Sequence, residues 1–105
     1  MSKRRTIVVE ASATTTSDWY NLDYRFGEAE DRSFFCTFAS VSNQTLEIQV
    51  GAWDDDNRDS TTPDHIYSVS TYTNLSSTDG VLTGNWPAVR VILGVNGDSK
   101  FVLLG

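Results

Sequence analysis

Apolar residues recur at every second position in several short segments of this 105-residue chain, and this period limits its fold more than any other feature. Successive side chains of a β-strand point to opposite faces, so each such segment has one apolar and one polar face. The segments are residues 20–26, 34–38, 46–52 and 89–95. No part of the sequence has the apolar spacing of three and four residues that an amphipathic helix requires. The chain is therefore predicted to be all-β, with little or no helix.

Turn signals between these segments predict two hairpins. A polar turn separates residues 34–38 from residues 46–52. Asn96-Gly97 separates residues 89–95 from residues 100–104, and this dipeptide is typical of tight hairpin turns because both residues tolerate a positive φ. The two segments of each pair are expected to lie side by side in one sheet.

Further segments complete the predicted architecture. Residues 6–11 are predicted to form a strand that is followed by a threonine linker at residues 14–16. Residues 65–72 are predicted to form a strand at a sheet edge, because their alternation is less one-sided. About seven or eight short strands in a chain of this length favour an antiparallel β-sandwich of jelly-roll or immunoglobulin-like type. A small barrel is the alternative. Residues 1–105 are predicted to form a single domain.

The charge of the chain excludes some functions. Fourteen acidic against eight basic residues give a net charge of −6, so the body of the protein repels phosphate and no direct binding to nucleic acid is expected. The run of apolar or glycine residues at 91–95, which no other run exceeds in length, is far shorter than the roughly 20 residues that span a bilayer, and no membrane association is predicted. Three basic residues stand together near the start, Lys3, Arg4 and Arg5. They are interpreted as an arm that reaches an acidic surface or nucleic acid, or as a solubilising terminus.

Residues 54–64 form an acidic segment that is predicted to be an exposed loop. Clustered carboxylates are what Ca²⁺ requires, since it takes about six to eight oxygen ligands. The segment lacks the turn glycine and the closing glutamate of a calcium-binding loop, so a solvated loop is favoured over a metal site and no cofactor is predicted. If a cation bound here, its candidate ligands would be Asp54, Asp56, Asp59 and Asp64.

The sequence contains no evident catalytic set. His65 is the only histidine, and neither Cys36 nor a serine lies in a motif that marks a nucleophile beside a base. Cys36 alternates in phase with Phe34 and Phe38, so it is predicted to be a small buried hydrophobic residue and not a reactive thiol. A protein without enzymatic activity is expected, with a small hydrolase that depends on His65 as an alternative.

The three tryptophans are candidate contact residues, because exposed indoles stack on sugars and form hot spots in protein interfaces. Trp53 is out of phase with the apolar residues before it and adjoins the acidic segment, so it is predicted to face outward. Trp86 precedes a proline at the start of the last predicted hairpin. Two roles are open for it, a structural corner and a contact with a partner. No role is assigned to Trp19.

The order of these segments resembles that of a known family. The opening TIVVEASAT (residues 6–14), the central FAS (38–40) and TLEIQV (45–50), and the close GNWPAVRVILGVNG (84–97) with the final VLLG are similar to the small all-β virion proteins of tailed bacteriophages. The resemblance implies a capsid decoration, or cement, protein that is jelly-roll-like and often trimeric, and that binds the major capsid protein and braces the shell. It implies a virion location after synthesis in the host cytoplasm.

Under this interpretation, the expected contacts with the capsid or with a second copy come from the basic arm Lys3, Arg4 and Arg5 and from Trp53 and Trp86. The acidic segment is expected to be part of the same interface. The alternative is a tail, fibre or head–tail junction component that acts as a carbohydrate-binding or adaptor module. Such a module would use Trp53 or Trp86 as its stacking face.

Overall fold

The computed structural model describes residues 6–22, 31–38, 44–54, 56, 60–73, 77–83, 86–95 and 97–104. These residues form nine β-strands and no α-helix, which confirms the all-β prediction. None of the described segments is a helix that could cross a membrane. The strands are β1 (Ile7–Ala11), β2 (Thr15–Thr16), β3 (Tyr20–Asn21), β4 (Arg32–Phe38), β5 (Thr45–Ala52), β6 (His65–Thr73), β7 (Ser77–Leu82), β8 (Ala88–Gly94) and β9 (Ser99–Leu103).

The strands form two antiparallel sheets whose inner faces share one core. The four-stranded sheet has the order β1-β9-β4-β7, and the five-stranded sheet has the order β2-β8-β5-β6, with β3 also paired to β8. Except at β2–β3 and β5–β6, each strand is followed along the chain by a strand of the other sheet. When β2 and β3 are counted as one interrupted strand, this is the strand order of a jelly roll, not of an immunoglobulin-like sandwich.

Both predicted hairpins are wrong. β4 pairs with β7 and β9, whereas β5 pairs with β6 and β8, so these two strands lie in opposite sheets. β8 and β9 are likewise divided between the sheets. Two strands with one apolar face each can bury those faces side by side in one sheet or opposite each other across a core, and this chain does the latter. Consecutive strands β5 and β6 do pair within one sheet, and the acidic segment connects them.

Three further predictions concern strands of the five-stranded sheet. β6 lies at the edge of the five-stranded sheet, as predicted. The prediction of a linker at residues 14–16 is wrong, because Thr15 and Thr16 form β2 against β8. Of the predicted strand at residues 20–26, the first two residues form β3, and residues 23–26 lie outside the described part of the chain.

Alternating side chains from both sheets fill the core. Phe34 of β4 joins the two layers, since its ring centroid lies 5.8 Å from that of Phe101 on β9 and 6.2 Å from that of Tyr72 on β6. Cys36 is fully buried opposite Phe101 in the ladder, which confirms its prediction as a packing residue. Burial of each large apolar side chain stabilises the fold by about 1.5–3 kcal/mol relative to its exposure.

Candidate functional site

A chain of polar contacts crosses the outer face of the five-stranded sheet. Val89 and Val91 of β8 are buried in the core, so strand alternation directs Arg90 outward. Arg90 lies opposite Gln49 of β5, and its Nε donates a hydrogen bond to Gln49 Oε1 at 2.6 Å. Gln49 Nε2 in turn donates to Glu47 Oε2 at 2.9 Å. These contacts hold the guanidinium group at a fixed place on the sheet.

Trp19 covers the Arg90 guanidinium group, whose carbon Cζ lies 4.7 Å from the centroid of the indole ring, within the range of a cation–π contact. Trp19 stands between β2 and β3, which both pair with β8. Ser17 holds this segment on β8: its N–H donates to Val91 O at 2.9 Å, and its Oγ accepts a hydrogen bond from Val91 N–H at 3.0 Å. The segment forms the first wall of a groove.

Residues 60–63, the described end of the acidic segment, lie on the same sheet and form the second wall together with Trp53. Pro63 is buried against Gly51 of β5, where a Cβ would lie 2.7 Å from both Cβ and Cγ of the proline ring. This close approach therefore requires a residue without a side chain at position 51. Trp53 Nε1 donates to Ser60 O at 2.9 Å, so the half-buried indole is fixed to the returning part of the segment.

The groove between these walls is open to solvent and has a volume of about 750 Å³. Its described lining comprises the indoles of Trp19 and Trp53, the guanidinium of Arg90, the carboxylate of Asp18, the amide of Asn21 and four serine and threonine residues. The charges of Asp18 and Arg90 cancel. The described lining can therefore offer flat apolar surfaces together with hydrogen-bond donors and acceptors, and its formal charges sum to zero.

His65 lies at the base of the acidic segment, where its Nε2 is 2.7 Å from Asp54 Oδ1 and both side chains are exposed. The hydrogen bond with Asp54, and then the negative charge of Asp54, raise the pKa of His65 above its ordinary value. Asp54 N–H also donates to Asp64 Oδ2 at 2.8 Å, and the charge of Asp64 raises the same pKa further. Cys36 is buried in the core, where desolvation raises its pKa to about 11, so the structure does not bring it to the exposed His65.

The candidate cation ligands and the basic arm are only partly within the described residues. Asp54, Asp56 and Asp64 are exposed, whereas Asp59 and the arm Lys3, Arg4 and Arg5 lie outside the part of the chain that the structure describes. Within that part, no three His, Cys, Asp or Glu side chains are grouped in a way that could hold a metal ion.

The two predicted contact tryptophans occupy different places. Trp53 lines the groove. Trp86 packs against the core, its ring centroid lies 6.5 Å from that of Tyr67 on β6, and its Nε1 donates to Thr83 O at 2.8 Å. These contacts are those of a structural corner, one of the two roles left open for Trp86.

Sequence reasoning assigned no role to Trp19 or Arg90, which form the other half of the groove. One signal for Arg90 was present, since it is a charged residue at an outward position within the otherwise apolar segment 89–95. No local pattern places Trp19 over it, because the contact joins two residues that are far apart in the chain.

The outer face of the four-stranded sheet carries an apolar strip, formed by Val8, Phe35, Val81, Val102 and Leu104. Val8, Val102 and Phe35 are direct cross-strand neighbours on β1, β9 and β4, and Asp79 of β7 ends their row. Val8 and Phe35 are 47% and 39% exposed and flank Val102, which is 7% exposed. In the next row of the sheet, Val81 and Leu104, at 53% and 41% exposed, lie on either side of the exposed Ser33. The two outer faces of the sandwich therefore differ in chemistry.

Comparison with known proteins finds no match: no protein-family model fits the chain, and no curated protein and no solved structure is significantly similar to it. The class of molecule is therefore given by the fold and its surfaces. It is an antiparallel β-sandwich with jelly-roll strand order, an apolar strip on one outer face and a polar, aromatic groove on the other.

Proposed function

We propose that the protein is a structural component of a tailed-bacteriophage virion, a capsid decoration or cement protein that binds the shell of the major capsid protein as an oligomer and catalyses no reaction. The observation that carries the proposal is the apolar strip. An antiparallel sheet that faces water usually has a polar outer face, so a group of exposed apolar residues on this face favours a protein partner.

The geometry of the strip supports a continuous contact surface. Direct cross-strand neighbours have Cβ atoms about 4.5–5.5 Å apart, so Val8, Val102 and Phe35 form an unbroken apolar row across three strands. The adjacent row is polar, with Lys100 Nζ 3.6 Å from Glu10 Oε1. An apolar centre beside a polar margin is the usual composition of a protein interface.

Charge supports a position on the outside of the shell. The chain has a net charge of −6, and packaged DNA would repel such a protein at short range.

A large number of copies strengthens the effect of a decoration protein on the shell. A modest apolar contact, repeated in a symmetric oligomer and over many sites of a shell, resists separation of the capsid subunits better than one contact alone.

Co-sedimentation with tailed-phage capsids stripped of their minor proteins, together with the solution mass from light scattering, tests this function. We expect saturable binding by an oligomer. The double variant Val8→Ser/Phe35→Ser should lose binding or become monomeric, because serine removes the apolar row but is tolerated on a strand surface. Ile66→Ser is the matched control, since Ile66 is 46% exposed on β6 of the other sheet.

Two results would overturn the proposal. One is a monomeric wild-type protein that binds none of the capsids. The other is binding that survives the double variant unchanged, since it would show that the apolar strip is not the contact surface.

A further inference from the structure

We propose that the groove on the outer face of the five-stranded sheet binds a neutral oligosaccharide, in which a sugar ring stacks on the indole of Trp53 while Arg90 and Asp18 bind its hydroxyl groups. The groove and the apolar strip belong to different sheets of the sandwich, so a sugar in the groove would not compete with docking through the strip. The inference goes beyond the structural role proposed above and does not depend on it.

The groove lining fits the two kinds of surface that a sugar presents. A pyranose ring has an apolar face of C–H groups and a rim of hydroxyl groups that both donate and accept hydrogen bonds. The two indoles supply flat apolar surface, the Arg90 guanidinium can donate hydrogen bonds, and the Asp18 carboxylate can accept them. A concave site with aromatic walls and a few placed polar groups is typical of small-ligand binding sites.

The charges of the groove favour a neutral ligand over an anionic one. Asp18 and Arg90 are the charged residues of the described lining, and they cancel. At longer range the net charge of −6 repels anionic polymers. Single-stranded nucleic acid also stacks on aromatic side chains, but it is bound in positively charged grooves, which differ from this lining.

The binding groups of the groove are held in place by contacts of their own. Gln49 and Trp19 fix Arg90, and the hydrogen bond to Ser60 fixes Trp53. Among the described residues, the hydrogen bonds of the Arg90 guanidinium end at Gln49, so its two Nη groups can donate to a ligand. Groups that are already fixed lose little entropy when a ligand binds.

Titration of the full-length protein with cellohexaose, maltohexaose, mannohexaose and chitohexaose, by calorimetry and by tryptophan fluorescence, tests the inference. We expect saturable binding of at least one of these neutral probes. Trp53→Ala and Arg90→Gln should each weaken it at least about tenfold, the size of a hot-spot effect. Trp53→Phe keeps an aromatic ring and should retain more affinity than Trp53→Ala. It thereby separates loss of stacking from loss of folding.

Tyr67→Ala is the matched control, because Tyr67 is an exposed aromatic residue of the same sheet, 63% accessible, that does not line the groove. The affinity of the Tyr67→Ala variant for the probe should equal that of the wild type. The inference is overturned if none of the four probes binds, or if binding is unchanged in both Trp53→Ala and Arg90→Gln. It is also overturned if poly(dT) or polygalacturonate binds in place of the neutral sugars, since either result would indicate an anion site.

Discussion

The ring of Pro63 occupies the space where a side chain on Gly51 would stand. A Cβ at position 51 would lie 2.7 Å from two ring carbons of Pro63 and 3.1 Å from the carbonyl oxygen of His65. This approach seats the end of the acidic segment on β5, in the same wall of the groove where Trp53 is hydrogen-bonded to Ser60. A single residue without a side chain thus permits the second wall of the groove to form.

Substitution Gly51→Ala should therefore destabilise the protein by about 1–3 kcal/mol, because a proline ring and a backbone carbonyl cannot move aside as the end of a flexible side chain can. Equilibrium urea denaturation measures this loss. In the double variant Gly51→Ala/Pro63→Gly the clashing ring is gone, so the combined loss should be smaller than the sum of the two single losses. Additive losses would show that the two residues are not in contact.

Neighbouring phenylalanines on β4 provide a matched pair for the core. Phe34 is 3% exposed and packs between Phe101 and Tyr72, whereas Phe35 is 39% exposed on the opposite face. We expect Phe34→Ala to lower the free energy of unfolding by about 3–5 kcal/mol. Phe35→Ala should lower it by less than about 1 kcal/mol. Equal losses in denaturant titrations would contradict the assignment of inner and outer faces on this strand.

The thiol of Cys36 should not react in the folded protein. It is fully buried, and burial raises its pKa to about 11, so almost none of it is thiolate near neutral pH. Labelling with a thiol-specific disulfide reagent should proceed only as fast as the protein unfolds. The control is Ser33→Cys in a Cys36→Ser background, since Ser33 is exposed on the same strand and its replacement should react at once. Rapid labelling of the wild type under native conditions would refute the prediction.

The contact between His65 and Asp54 should make stability depend on pH. The hydrogen bond with Asp54 and the charge of Asp54 raise the pKa of His65 in the folded state. The contact therefore stabilises the protein at pH values below the ordinary histidine pKa of about 6.5. This contribution is lost as the pH rises through the folded-state pKa. The difference in stability between wild type and His65→Gln should accordingly be present on the acidic side and vanish on the basic side.

Nuclear magnetic resonance titration of the imidazole checks the cause of this pH dependence. The pKa of His65 should lie above its ordinary value in the wild type and should fall in Asp54→Asn, which keeps the shape of the side chain but removes its charge. A pKa that is unaltered by Asp54→Asn would show that the contact is not formed in solution.

Strand positions were predictable because alternation is a local property of the chain. The predicted segments at residues 46–52, 65–72 and 89–95 coincide with β5, β6 and β8 to within a residue at each end. β2 and β7 were not predicted, since their short sequences consist largely of small polar residues and have no clear apolar face. A strand of that kind is defined by its neighbour in the sheet and not by its own sequence.

Half of the candidate groove was likewise open to prediction. Trp53 was expected to face outward because it is out of phase with the apolar residues of β5, and the structure places it in the groove wall. Trp19 and Arg90 lie on distant parts of the chain and meet because β2 and β3 pair with β8. No pattern within either segment contains that information.

The sequence by itself determined the all-β class, the burial of Cys36, the edge position of β6 and the acidic charge, because each follows from composition or from the relation between residues two positions apart. Tertiary structure alone decided that β4 and β5, and β8 and β9, face each other across a core instead of forming hairpins. It also decided that Pro63 meets Gly51. The physical reason is that an alternating strand gains the same burial in either arrangement, so the choice rests on how all the apolar faces of the chain pack together.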